Sequence, residues 1–121
     1  MKPGKTGVRR VIDATGYSMV GLKLAWKSEA AFRQECVIAI ILIFSSFFIP
    51  VTPVERILMI SSLGVVLVVE LINSAIEATV DRISEEWHPL SKKAKDIGSS
   101  AVFISIVLTL YVWVLCLMNI K

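Results

Sequence analysis

Charge is what this chain lacks over long distances. No Asp, Glu, Lys or Arg interrupts the run from Cys36 to Val51, and none occurs between Ile97 and Met118. With 55% hydrophobic residues among 121 and a mean hydropathy of +0.74, the composition excludes an ordinary small soluble domain. No cleavable signal peptide is visible either, because the N-terminal region is basic and amphipathic rather than apolar. The chain has no internal repeat, no low-complexity tract, and neither G-x-x-x-x-G-K-[ST] nor G-x-G-x-x-G. Cysteine is scarce, at two residues.

What is present is apolar sequence of spanning length. A bilayer-crossing helix needs about 20 mostly apolar residues. The run beginning at Cys36 reaches that length if Ala30 and Ala31 extend it, Ile57 to Val80 has it, and Ile97 to Met118 has it outright. We therefore expect a single all-α membrane domain. It comprises an N-terminal amphipathic surface-helix region (1–29), transmembrane helices at 30–51, 57–81 and 97–118, and a cytoplasmic loop at 82–96. Lys2, Lys5, Arg9, Arg10, Lys23, Lys27 and Arg33 precede or open the first span, and Arg82, Lys92, Lys93 and Lys95 lie between the second and third. The connector "PVTPVER" offers only Arg56 and the C-terminus only Lys121. The positive-inside rule then puts the N-terminus in the cytoplasm and the C-terminus outside. The net charge of +3 is a topology and lipid-surface signal, with nothing that suggests nucleic acid. On this topology Cys36 and Cys116 lie at opposite membrane faces, which excludes a disulfide within the chain.

Between Val8 and Trp26 the apolar positions 8, 11, 12, 19, 22 and 26 fall within about 60° of one direction at helical periodicity, flanked by Arg9, Lys23 and Lys27. Such a helix lies in the interface with its stripe in the acyl boundary, or packs on a partner protein. Gly16 and Gly21 weaken it, and a break is expected near Gly16-Tyr17. Pro50 and Pro53 close the outer turn. "LSKKAKD" begins the last helix ahead of the membrane, with Ser91 as its cap. Trp26, Trp87 and Trp113 are expected at the interfaces.

The second span ends in "VELINSAIEATVDR". Glu70, Asn73, Glu77 and Asp81 are spaced three, four and four residues apart, so they share an arc of roughly 80° on a helix otherwise made of Leu, Ile, Val and Ala. One charge at bilayer depth costs at least about 2.5 kcal/mol, so two or three on one stripe must face other helices, a water-filled cleft or bound cations. Three readings fit: interhelical hydrogen-bonding glue at about 0.6–2 kcal/mol per contact, a proton or cation path in an ion-conducting or adaptor subunit, and an enzyme site at the cytoplasmic interface. Glue explains Asn73 but not two glutamates. A pore would leave polar groups on the outer half too, and Ile57 to Val69 offers only Ser61 and Ser62. The stripe opens inward only, with Glu77 roughly 10 Å and Asp81 roughly 16 Å cytoplasmic of Glu70. Low dielectric at Glu70 disfavours its charged form, which suits a general base, and Glu77 is placed for a metal arriving from water. Glu29 and the Lys95-Asp96 pair end at the same leaflet. Carboxylates, a lysine and a basic helix are the parts needed for Mg²⁺-assisted phosphoryl transfer, with phosphate gripped by side chains and helix ends.

These segments carry a resemblance. "GYSMVGLKLAWKSEAAFRQE", "VELINSAIEATVDR" and "HPLSKKAKDIGSSAV" resemble, in order and spacing, the three signature blocks of the prokaryotic integral-membrane diacylglycerol kinases. The resemblance implies a small homotrimeric lipid kinase of the bacterial inner membrane, with sites shared between protomers, which uses ATP to convert diacylglycerol to phosphatidic acid. It implies that Glu70 is the general base, that Asn73 supports it, and that Glu29 and Glu77 hold Mg²⁺, or Zn²⁺ in its place, with ATP. Lys95 would meet the phosphates and Asp96 the adenosine end, with Arg10, Tyr17, Glu86 and His88 as further ATP contacts. Arg10, Trp26, Arg33, Glu35, Glu70 and Ser99 would line the lipid cleft. A branch of the same family phosphorylates undecaprenol, and "HPL" is similar to that branch, whereas the first block and "IGSSAVF" are closer to the diacylglycerol branch.

Blander roles remain open for single residues. Glu29 and Arg33 are i,i+4 partners able to pair with each other. His88, the lone histidine, suits a surface position, Asp81-Arg82 suits a helix end, and Tyr17 suits an interfacial anchor.

Overall fold

The computed structural model describes residues 6–120, and these form four helices: α1 (Gly7–Ser28), α2 (Ala30–Ser46), α3 (Pro53–Ile83) and α4 (Pro89–Met118). α3 packs mainly along α4 and then on α2, while α1 meets α2. α3 and α4 are each long and apolar enough to cross a membrane. α2 is shorter, at 17 residues, or about 25 Å of rise against a hydrocarbon core of about 30 Å. Many large apolar side chains of α2, α3 and α4 stay exposed, among them Ile40, Phe44, Ile57, Ile72, Phe103 and Ile104.

The first span was expected to run to residue 51, but its helix stops at Ser46, and 47–49 turn the chain instead. The cause is local. Ser45 and Ser46 donate their hydroxyls back to the carbonyls of Ile41 and Ile43. Arg56 then reaches over, its Nε on Ser46 O at 3.0 Å and its Nη2 on Ile49 O at 3.1 Å. The carbonyls orphaned at a helix end thus find donors without further helix, and Val51 folds into the core. α3 starts at once, because Thr52 and Glu55 form a reciprocal capping box and Pro53 occupies the first turn.

Three other expectations change. α1 is continuous through Gly16 and Gly21. A helical glycine costs about 1 kcal/mol but leaves the backbone ladder intact, and Thr15 and Ser18 bond back to Val11 O and Ala14 O around it. α4 begins at Pro89, not at Ser91. His88 is its cap, with Nδ1 accepting from Leu90 N at 3.1 Å, since proline is pre-set for a first helical position. The 82–96 loop thereby narrows to 84–88. Trp113 is buried, not a belt residue. It shares the α4 face of Thr109 and Cys116 and donates Nε1 to Met59 O at 3.1 Å, which gives a sealed indole its obligatory partner.

The core of Ala39, Val51, Met59, Leu63, Trp113 and Cys116 gathers at the end of the bundle where α3 begins and α4 finishes. Thr109 donates to Ser62 O across the same interface at 3.1 Å. Small residues (Ser62, Gly98, Ser105, Thr109) are the buried ones along much of this crossing, which is how helices without a water-driven hydrophobic force approach closely. The packed end is thereby separated from the opposite end, where α3 carries its acids.

Candidate functional site

The acidic stripe grades from buried to exposed along α3. Glu70 is 6% and Asn73 7% exposed, Glu77 is half-buried, and Asp81 is open. The 3-4-4 spacing therefore does place one face inward, toward the other helices. Glu70 lies within electrostatic reach of Glu77 on its own helix, Glu29 at the α1–α2 corner and Glu35 on α2. Carboxylates of α2, α3 and the α1–α2 corner thus share one electrostatic neighbourhood. Glu35 is half-buried, and its Oε2 is sealed without a hydrogen-bond partner.

Glu29 reaches this point because it is the single extended residue, φ −113° and ψ 102°, between α1 and α2. Arg33 fastens the corner by donating Nη1 to Trp26 O at 2.8 Å and Lys27 O at 3.0 Å. The guanidinium thus caps the end of α1, a use other than the i,i+4 pairing with Glu29. Beside the corner, α1 and α3 enclose a cavity of about 610 Å³ that is mostly apolar and includes Glu29 and Ser74 in its lining. Trp26 and Arg33 line a separate groove of about 390 Å³ with Val37 and Ile38.

Asn73 donates Nδ2 to Glu77 Oε1 at 3.1 Å, while its Oδ1 is buried against Gly98 of α4 with no hydrogen-bond partner. Below this, Lys95 and Asp81 form an ion pair at 2.6 Å, and Lys92 pairs with Asp96. Lys95 stands in the charged turns ahead of the apolar run that starts at Ile97. The hydrogen bond to Asp81 holds its ammonium above the usual lysine range. A cavity of about 370 Å³ opens here, and Glu86, His88, Lys95 and Asp96 all line it, together with Asp81 and Lys92. The structure thus brings together four of the residues expected to meet nucleotide.

Arg10 and Tyr17 lie on exposed faces of α1, and Ser99 is exposed on α4 beside Gly98. None of the three lines the cavity at 84–88. Residues that sequence reasoning passed over are Ser74, whose buried Oγ has no partner, Gly98, and Lys92, whose i,i+4 relation to Asp96 was readable in "KKAKD".

Among the described residues no three His, Cys, Asp or Glu side chains form a ready metal cluster. Glu29 and Glu77 are carboxylates, the donor type that Mg²⁺ takes. That ion is usually held by one or two carboxylates together with substrate phosphates, not by an all-protein cage.

The chain is also similar to known proteins. The family model described as prokaryotic diacylglycerol kinase matches residues 16–117. A diacylglycerol kinase of Pseudomonas aeruginosa is 49% identical over 116 residues, covering 96% of this chain and 94% of that protein. One from Escherichia coli K12 is 47% identical over 117 residues, covering 97% and 96%. One from Haemophilus influenzae is 52% identical over 108 residues, covering 89% and 92%.

Proposed function

The chain belongs to the prokaryotic diacylglycerol kinase family, and on that premise we propose that it phosphorylates diacylglycerol with ATP at the cleft beneath Glu70. The observation that carries this reading is the acidic stripe of α3, buried at Glu70 and Asn73 and running down to a cavity lined by Asp81, Lys95, Asp96, His88 and Glu86. A buried carboxylate at lipid depth sits next to charged groups that open to water. A reaction between a membrane hydroxyl and a soluble triphosphate needs that juxtaposition.

In the proposed reaction the lipid hydroxyl oxygen forms a bond to the γ-phosphorus as the bond from that phosphorus to the bridging oxygen breaks, and ADP leaves. Glu70 takes the hydroxyl proton. Its placement on the sealed part of α3 presents the carboxylate to a lipid headgroup and keeps bulk water from competing. Asn73 fixes Glu77 through the Nδ2 hydrogen bond. Glu77 and Glu29 are the residues that hold Mg²⁺ (or Zn²⁺) with the nucleotide, and the cation supplies neutralisation of phosphate charge. Lys95 adds a positive charge from the opposite helix, His88 and Glu86 line the far wall, and Asp96 faces the adenosine end. Arg10 and Tyr17, which do not line this cavity in the single chain, are assigned to the nucleotide in the assembled enzyme. Trp26, Arg33, Glu35 and Ser99 border the lipid. Catalysis of this kind is mostly positioning and electrostatics.

The working enzyme in this proposal is a homotrimer with shared sites in the inner membrane, with α2, α3 and α4 as its three spans. The apolar faces left exposed on all three helices support it. Basic residues at both ends of α1, at the end of α3 (Arg82) and in the first turns of α4 (Lys92, Lys93, Lys95) support a cytoplasmic N-terminus.

One assay tests the activity: purified protein with labelled ATP and Mg²⁺, given diacylglycerol or undecaprenol in mixed micelles. Label is expected on diacylglycerol. Transfer to undecaprenol alone overturns the substrate, and transfer to neither overturns the enzyme reading in favour of an ion-conducting or adaptor subunit.

A further inference from the structure

The geometry points to Gly98 as a positioning residue for this reaction: by having no side chain, it leaves the space that the Asn73 amide fills while it holds Glu77. The inference rests on the reading of Asn73 and Glu77 as site residues. A Cβ built on Gly98 would lie 2.2 Å from Asn73 Oδ1 and 3.3 Å from its Cγ. The first distance is far inside van der Waals contact, so alanine at 98 displaces the amide. The amide must then shift within a buried site, because Asn73 is 7% exposed and Ile76 of α3 flanks the same spot.

The direction of the amide follows from chemistry. A carboxylate only accepts, so the NH₂ end of Asn73 must face Glu77, and the carbonyl end is left pointing at α4. A side chain at 98 would push on that carbonyl oxygen, which is already without a hydrogen-bond partner. Against the Gly98 Cα–H the oxygen meets at most a weak C–H donor. Pushing it away rotates Nδ2 off Glu77, whose carboxylate then loses the Asn73 donor. No other described glycine has comparable neighbours: a Cβ at Gly16, Gly21 or Gly64 meets nothing within 4 Å. The constraint therefore comes from this crossing and not from glycine in helices generally.

The test is a double-mutant cycle between Gly98→Ala and Asn73→Ala, read in the full-length protein in mixed micelles with ATP, Mg²⁺ and diacylglycerol. Gly98→Ala alone is expected to lower kcat about 10- to 100-fold, as a misplacement of about 1 Å does, and to raise the Mg²⁺ concentration for half-maximal rate, with helical content retained. In the Asn73→Ala background the clash is gone, so Gly98→Ala should add less than about a twofold further loss. Parent-like kcat and Mg²⁺ requirement in Gly98→Ala overturn the proposal, and so does full additivity of the two losses. If Gly98→Ala fails to fold, the double variant must recover the thermal midpoint of Asn73→Ala, and failure to do so also overturns it. Failure of the underlying reading is seen separately. Asn73→Ala alone would then keep its turnover, which removes the reaction role from both residues whatever the thermal cycle gives.

Discussion

The Lys95 ammonium sits 2.6 Å from the Asp81 carboxylate, joining α4 to the last turns of α3 at the mouth of the cleft. Asp81 is the stripe member that spacing alone left without a partner, and it is the one that engages a cation from another helix. Both side chains are substantially exposed, so the pair contributes little to stability. Its consequence is for charge: an incoming triphosphate must draw Lys95 away from a carboxylate that already holds it.

Asp81→Asn is therefore expected to lower the KM for ATP about two- to fivefold while changing kcat by less than about twofold. The Asp81 carboxylate neutralises part of the positive charge that the triphosphate would meet at Lys95, and the exposure of both side chains keeps the effect small. An ATP titration at saturating diacylglycerol checks it. A raised KM would mean that Asp81 orients Lys95 for nucleotide rather than competing for it.

Glu70→Gln keeps the shape of a buried side chain and removes its capacity to take a proton. Turnover is expected to fall by about 10²–10⁴, the range attributed to a positioned general base. Size-exclusion behaviour, helical content and nucleotide binding should stay near the parent's. A rate close to the parent's would reassign the base, with Glu35 next in line because it shares the same buried corner.

Glu77→Gln addresses the cation. The variant retains an oxygen for Asn73 Nδ2 but loses the negative charge, so the Mg²⁺ concentration for half-maximal rate should rise at least about tenfold and the KM for ATP with it. Titrating Mg²⁺ at fixed ATP measures this directly. An unchanged Mg²⁺ requirement would remove Glu77 from the metal set. Glu29→Gln should behave in the same direction, since both carboxylates are needed where the phosphates supply the remaining ligands.

How far the site was legible depends on whether a contact is local. The inward stripe of Glu70, Asn73 and Glu77 could be read from i,i+3 and i,i+4 spacing, because helical phase is a local property. The pairing of Asp81 with Lys95, and the close approach of Asn73 to Gly98, depend on where α3 crosses α4, which no spacing within either segment encodes. Glu35 approaches Glu70 only because α1 and α2 break at Glu29 and α2 then returns along α3. The early stop of α2 was hidden for a related reason. The apolar run continues through Ile49, and the distant Arg56 guanidinium is what adds donors for the carbonyls of Ser46 and Ile49. Trp113 was misplaced because a tryptophan near a span end satisfies both an interface and a buried role. The Met59 carbonyl across the bundle decides between them.

That bond gives a prediction for the end of the bundle away from the chemistry. Trp113→Phe retains an aromatic ring in the core but removes the Nε1 donor, leaving Met59 O with its helical backbone partner and the Ser62 hydroxyl at 2.7 Å. A net loss of about 1 kcal/mol is expected, visible as a lower midpoint in thermal inactivation in detergent. Because Met59 lies eleven residues from Glu70 on α3, roughly 16 Å along the helix axis, kcat and the KM for ATP measured below that midpoint should match the parent's. A kcat defect in a protein that remains folded would mean that the packed end and the acidic end are coupled through α3. The separation of core from site would then fail.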